Sequence, residues 1–151
     1  VCTATLGACD GALDAYIEVA RTRQVGPNKM KNDPFARVIA AEVKASIEEM
    51  KLTLIRNFEA MMACCRGGVP IPIEDRVRYR YDSAVVADRC LALSSKMLKA
   101  AGSGGIRLDS ELLAFHLDIL ASQAHVANHS TPFASNLGGV VFGEENADFA
   151  L

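Results

Sequence analysis

The stretch from Pro34 to Arg66 contains no glycine, and its single proline is its first residue. Along it Val38, Ile39, Val43, Ile47, Met50, Leu54, Phe58, Met61 and Met62 recur at intervals close to three and four, the period of one helix face. Asp33 followed by Pro34 supplies an N-cap and an N1 proline ahead of it. Behind it, GGVPIPI (67–73) offers glycines for the C-cap and prolines that cannot continue a helix. At 1.5 Å per residue this rod is roughly 50 Å long, more than one compact bundle of this size needs. The fold must therefore be built of helices, and the surplus length calls for a partner.

The rest of the chain conforms to that constraint. Leu6, Leu13, Ile17 and Ala20 predict a first helix over 3–23, and QVGPNKMKN (24–32) is a connection. A third helix is predicted over 74–101, broken by AGSGGIRL, and a fourth over 109–129. Thr131-Pro132 reads as the close of regular structure, followed by a short irregular tail to Leu151. The expectation is all-α: one up-down-up-down four-helix bundle spanning 1–151, with no internal repeat and no β-rich segment. Leu13, Ile17, Val43, Ile47, Leu54, Val85, Leu113, Leu117 and Leu120 are the expected core.

Half of the residues are hydrophobic, enough to bury a single core in 151 residues. The formal net charge is -2 with acids and bases interspersed, so no basic stripe is available for a nucleic acid backbone. No apolar run approaches the roughly 20 residues of a membrane span, and the N-terminus lacks the pattern of a signal peptide. A cytoplasmic protein is expected. Five cysteines, with no CxxC pair and no zinc-like Cys/His spacing, read as reduced thiols, and burial is expected even for Cys64 and Cys65 beside Arg66. The chain begins at Val1 and enters a helical pattern almost at once, which suggests a piece of a longer protein.

Chemistry-bearing residues concentrate in FHLDILASQAHVANHS (115–130), which holds all three histidines. On a continuous helix Asp118, Ser122, His125 and His129 share one face, and His116 points elsewhere. His125 and His129 have the spacing of the HExxH motif but no glutamate between them, and only Asp118 is near as a further ligand, so no metal is expected. The residues leave two readings, a face toward a cleft or histidines hydrogen-bonded inside the bundle. GSGG (102–105) follows a helix instead of a strand and reads as a turn. Arg76, Arg78 and Arg80 form either a solvated set paired with Glu74, Asp75 and Asp82, or a holder for the phosphate of an anionic cofactor.

Read in order, GACDGALDAYIEVARTR, NDPFARVIAAEV, RVRYRYDSAVVADRC, AAGSGG, then Leu117-Asp118 with His125 seven residues beyond the acid, and GGVVFG resemble the C-terminal helical domain of the acyl-CoA dehydrogenase fold. More narrowly the string is similar to two-component flavin monooxygenases of the 4-hydroxyphenylacetate hydroxylase oxygenase type. The dehydrogenase branch carries Arg-x-x-Phe-Gly after its first helix and a tail glutamate in a Tyr-Glu-Gly setting. This chain has RTRQVG (21–26) and no such glutamate, which favours the monooxygenases.

The resemblance implies an N-terminal helical domain and a β-domain upstream, which together would supply much of the flavin site. It implies oxygenation of an aromatic or related small molecule by reduced flavin (FMN or FAD) and O2, a separate flavin reductase, and a homotetramer joined through the long helices. His125 corresponds to the histidine that faces flavin and substrate, and Asp118 to the acid that opens the last-helix motif. Arg76 and Arg78 are the candidates for the cofactor phosphate. The alternatives are an acyl-CoA dehydrogenase domain and a non-catalytic oligomerisation bundle.

Overall fold

A computed structural model describes residues 1–148. The last three residues of the expected irregular tail, 149–151, lie outside the described residues. Helix α1 spans Cys2–Thr22, α2 Pro34–Gly67, α3 Ile73–Ala101, α4 Glu111–Ser122 and α5 Ser130–Val141. The first four form the expected up-down-up-down bundle, with α1 and α3 at its centre, and α5 lies against α3. The connection after α1 is a hairpin of β1 (Gln24–Val25) and β2 (Asn28–Lys29), turned at Gly26 in a left-handed conformation (φ 60°). No helix among the described residues is long and apolar enough to cross a membrane.

Local chemistry sets the boundaries of α2. The Asp33 side chain accepts the Phe35 amide at 2.9 Å, satisfying one of the free donors of the first turn, and Pro34 has no donor to satisfy. At the other end Gly68 adopts φ 64°, where a Cβ would be strained, and its amide bonds back toward the Cys65 carbonyl at 3.2 Å. The buried stripe of α2 runs Val43, Ile47, Met50, Leu54 and ends at Asn57. From Phe58 to Gly67 no residue is fully buried, and Phe58 and Met62 are 46% and 53% exposed. The surplus length read from the sequence is thus an overhang. Leu52 and Ile55 continue its apolar stripe on the outside. Cys64 is half-buried and Cys65 exposed, contrary to expectation, because the overhang leaves nothing to bury them.

The core lies between α1 and α3, where small residues permit close approach. A Cβ on Gly11 would fall 2.6 Å from the Phe115 ring of α4, so any side chain there would displace that ring. Cys9 and Cys90 are both fully buried free thiols in the α1–α3 seam. The hydrogen bond that Cys90 donates to Cys9, together with burial, pushes the Cys90 thiol far above its ordinary range, so it stays protonated. Asn57, the polar end of the α2 stripe, is buried but satisfied: its Nδ2 donates to Asp82 at 2.8 Å and its Oδ1 accepts from Arg56 at 2.9 Å.

Of the nine residues expected in the core, Leu13, Val43, Ile47 and Leu54 are buried and Ile17, Val85 and Leu113 half-buried. Leu117 and Leu120 are instead exposed, at 51% and 46%. Helix α4 turns Leu112 and Ile119, seven residues apart, into the bundle. Leu117 lies two residues before Ile119, about 200° round the helix, and so must face outward.

Candidate functional site

Helix α4 stops at Ser122, seven residues short of the expected end. The Ser122 hydroxyl donates to the Ile119 carbonyl at 2.7 Å, and the next three amides tighten to i−3 carbonyls: Gln123 to Leu120, Ala124 to Ala121 and His125 to Ser122. Buried Asn128 then reaches back with its Nδ2 to the Ser122 carbonyl at 2.8 Å, occupying the acceptor that a continuing helix would have used. His125 is left extended (φ −77°, ψ 130°) and caps a single 3-10 turn over Val126–Asn128. Its Nδ1 accepts the Ala127 amide at 3.1 Å. A backbone amide can only donate, so Nδ1 carries no hydrogen and the neutral ring holds it on Nε2.

From this turn the chain enters α5, whose first turn contains Pro132. Proline is tolerated there because the first helical amides have no partner in any case. Thr131-Pro132 thus opens a helix that the sequence reading took for an end. The segment beyond α5 folds back on it: Asn136 donates to Asn146 at 2.8 Å and accepts the Ala147 amide at 2.7 Å. Between the 3-10 turn, α5 and this return lies an open cleft of about 530 Å³, lined by Val126, His129, Phe133, Asn136, Glu144 and Asp148 among others. Behind it the Arg80 guanidinium sits 4.3 Å over the Phe133 ring, with its Nε 3.9 Å from Asp148.

Residues 1–130 match the family described as acyl-CoA dehydrogenase, C-terminal domain. The chain belongs to that family. Within it, the chain is 30% identical over 126 residues to the flavin-dependent monooxygenase, oxygenase subunit HsaA of Mycobacterium tuberculosis, covering 82% of this chain and 32% of HsaA. The crystal structure of 3-HSA hydroxylase from Rhodococcus sp. RHA1 superposes with a TM-score of 0.87 at 28% identity, covering 97% of this chain and 39% of that one. XiaF from Streptomyces sp., solved in complex with FADH2 and glycerol, has the same fold (TM-score 0.88, 19% identity, 97% of this chain and 38% of that one). The chain spans about a third of the length of the curated relatives it matches.

Asp118 is exposed on α4, and His125 and His129 are exposed on the turn beyond it. The expected single helix face for Asp118, Ser122, His125 and His129 does not exist, because the helix ends between the second and third of them. His129 lines the cleft, whereas His125 is not among its lining residues. Arg78 pairs with Asp75 at 2.8 Å, and its guanidinium lies 5.2 Å from the Tyr79 ring. Arg76 and Arg78, two positions apart, project from opposite sides of α3 and do not converge on one phosphate. Among the described residues no group of three His, Cys, Asp or Glu could hold a metal ion.

Four residues that hold the turn, Asp88, Gln123, Asn128 and Ser130, escaped the sequence reading. Asp88 of α3 accepts from the Gln123 amide group at 2.7 Å and from the Ser130 hydroxyl, spanning the ends of the turn. Asn128 supplies the internal tie already described. The only local signal was Ser130-Thr131-Pro132, a helix-opening pattern; the Asp88 partnership is distant in sequence.

His116 stands apart, on the side of α4 that meets α3. Its Nδ1 lies 2.9 Å from the Oγ of fully buried Ser94, whose hydroxyl also donates to the Leu91 carbonyl at 3.1 Å. Burial pushes the imidazole below its ordinary pKa, so the folded chain resists the proton that the unfolded chain accepts near pH 6.5. The stabilisation is therefore present above about pH 6.5 and lost as pH falls through that value toward the depressed folded pKa. Denaturant midpoints should drop between pH 7.5 and pH 5.5, and His116→Gln should flatten that drop. An equal slope in the variant would assign the effect to other groups.

Proposed function

We propose that the chain is the C-terminal helical domain, forming the last part of a longer chain, of a cytoplasmic flavin-dependent monooxygenase that hydroxylates an aromatic or related small molecule. Reduced flavin, as FMN or FAD, is delivered by a separate reductase. The observation that carries this reading is the 30% identity to HsaA, named as the oxygenase subunit of a flavin-dependent monooxygenase. The structural likeness to 3-HSA hydroxylase supports it.

The residues on the turn fit one edge of a flavin site. An exposed imidazole whose Nδ1 is already occupied presents Nε2–H as a donor, and exposed Asp118 adds a carboxylate one helical turn before the break. Reduced flavin, when bound, would supply the two electrons with which one atom of O2 enters the substrate and the other leaves as water. His125 donates its Nε2 hydrogen to the substrate hydroxyl or the flavin edge and so orients the reacting groups. Asp118 biases the charge of that edge. Since Arg76 and Arg78 lie on opposite sides of α3, at most one of them meets a given phosphate. The exposed apolar side chains Leu117, Leu120 and Val126 close against the upstream domains and exclude water from the pocket.

The full-length protein, supplied with reduced flavin, ¹⁸O2 and a panel of phenols, should yield products carrying one labelled oxygen atom. Thioester oxidation without oxygen incorporation would replace this reading with the dehydrogenase one. The stripe Leu52, Ile55, Phe58, Met62 on α2 is our candidate for the tetramer contact, being too apolar to stay wet at this length. Sedimentation of the full-length protein should give a tetramer, and Phe58→Glu with Met62→Glu a smaller species. A clean monomer in the parent removes the contact.

A further inference from the structure

The turn that carries both histidines is held from outside by one residue of another helix. Asp88, exposed on α3, takes the Gln123 side-chain amide on Oδ1 at 2.7 Å and the Ser130 hydroxyl on Oδ2. Gln123 is the residue that closes α4, and Ser130 is the first of α5. One carboxylate therefore spans the two ends of the 123–130 segment, and charge-assisted bonds of this kind are roughly twice as strong as neutral ones. Inside the span, Asn128 bonds the Ser122 carbonyl and the Ala127 amide bonds His125 Nδ1. The Ala127 bond needs the extended His125 backbone followed at once by the 3-10 turn. If the ends of the segment drift apart, that geometry relaxes and Nδ1 is released.

We propose that Asp88 is the positioning residue of the histidine turn: by bridging Gln123 and Ser130 it keeps His125 in the conformation where Ala127 caps Nδ1 and Nε2–H is the presented donor. This rests on the reading of His125 as the flavin-facing residue, and it adds the device that fixes the tautomer. Asp88 touches neither cofactor nor substrate and acts only through the turn.

The test uses the full-length protein with ¹⁵N-labelled histidine, the His125 ring being assigned by its loss in His125→Ala. In the parent the two ring nitrogens should show well-separated shifts, Nδ1 bare and Nε2 protonated. In Asp88→Ala the shifts should converge toward a mixture of tautomers. Asp88→Asn keeps an oxygen for Gln123 and offers an N–H to the Ser130 oxygen, so it should restore the separation. Coupling gives the second readout: the share of O2 released as H2O2 should rise about tenfold in Asp88→Ala, because displacement of a positioned group by an ångström costs up to about 10²-fold. Asp88→Ala should add nothing in a His125→Ala background, the mark of action through that residue. A purely structural Asp88 would shift thermal midpoints while leaving tautomer and coupling at parent values. An unchanged Nε2–H tautomer in Asp88→Ala overturns the proposal. If Asp88→Ala mixes the tautomers while His125→Ala leaves coupling intact, the positioning role stands and the catalytic reading of His125 falls.

Discussion

His125→Ala in the full-length enzyme is expected to lower coupled hydroxylation by about 10²-fold, the usual cost of losing a positioned proton donor. Folding should be unaffected, because the ring is exposed and, among the described residues, its one hydrogen bond is accepted from the amide two residues on. Flavin binding should also stay close to the parent, since most of the flavin site is expected in the upstream domains. Oxygen consumption should continue with H2O2 as the main product. The measurement is the ratio of hydroxylated product to H2O2 under saturating reduced flavin. A parent-level ratio in the variant would remove His125 from the chemistry and turn attention to His129, which lines the cleft.

A second large effect separates two adjacent residues of α4. Ile119 is fully buried and Leu120 46% exposed. Ile119→Ala should destabilise the 151-residue chain by about 2–5 kcal/mol, the loss of buried methyl groups plus the cavity they leave. Leu120→Ala should stay within about 0.5 kcal/mol at low protein concentration, as surface substitutions do. Denaturant midpoints measured side by side decide it. Equal costs would mean that α4 is rotated relative to the register described.

Where the residues carried their own instructions, the fold was legible. Asp33-Pro34 and Gly67-Gly68 mark both ends of α2 by cap chemistry within two or three residues, and the structure follows them. The length of that helix already implied the overhang. The end of α4 was not legible, because the apolar pattern continues through Ala124 and Val126 while the termination depends on Asn128 folding back and on Asp88 reaching across from α3. Leu117 and Leu120 were misplaced for a related reason. A short helix with apolar residues on both sides has no single stripe, and its orientation is chosen by which side chains fit against α1 and α3. Helix α5 was missed because a proline within the first turn resembles a stop when the next positions include the glycines at 138 and 139. For the candidate site, the sequence pattern arranged Asp118, Ser122, His125 and His129 on one helix, whereas that helix ends before the histidines.

That ending has an evolutionary consequence. Because His125 and His129 ride on a turn tied down by Gln123, Asn128 and Ser130, the other residues between Gln123 and Ser130 can be exchanged without moving the register of any helix that builds the core. A lineage could re-aim its histidines at little cost in folding, provided that those three anchors were kept. Had the histidines stood on a continuous helix, each change of aim would have rotated the buried leucines as well.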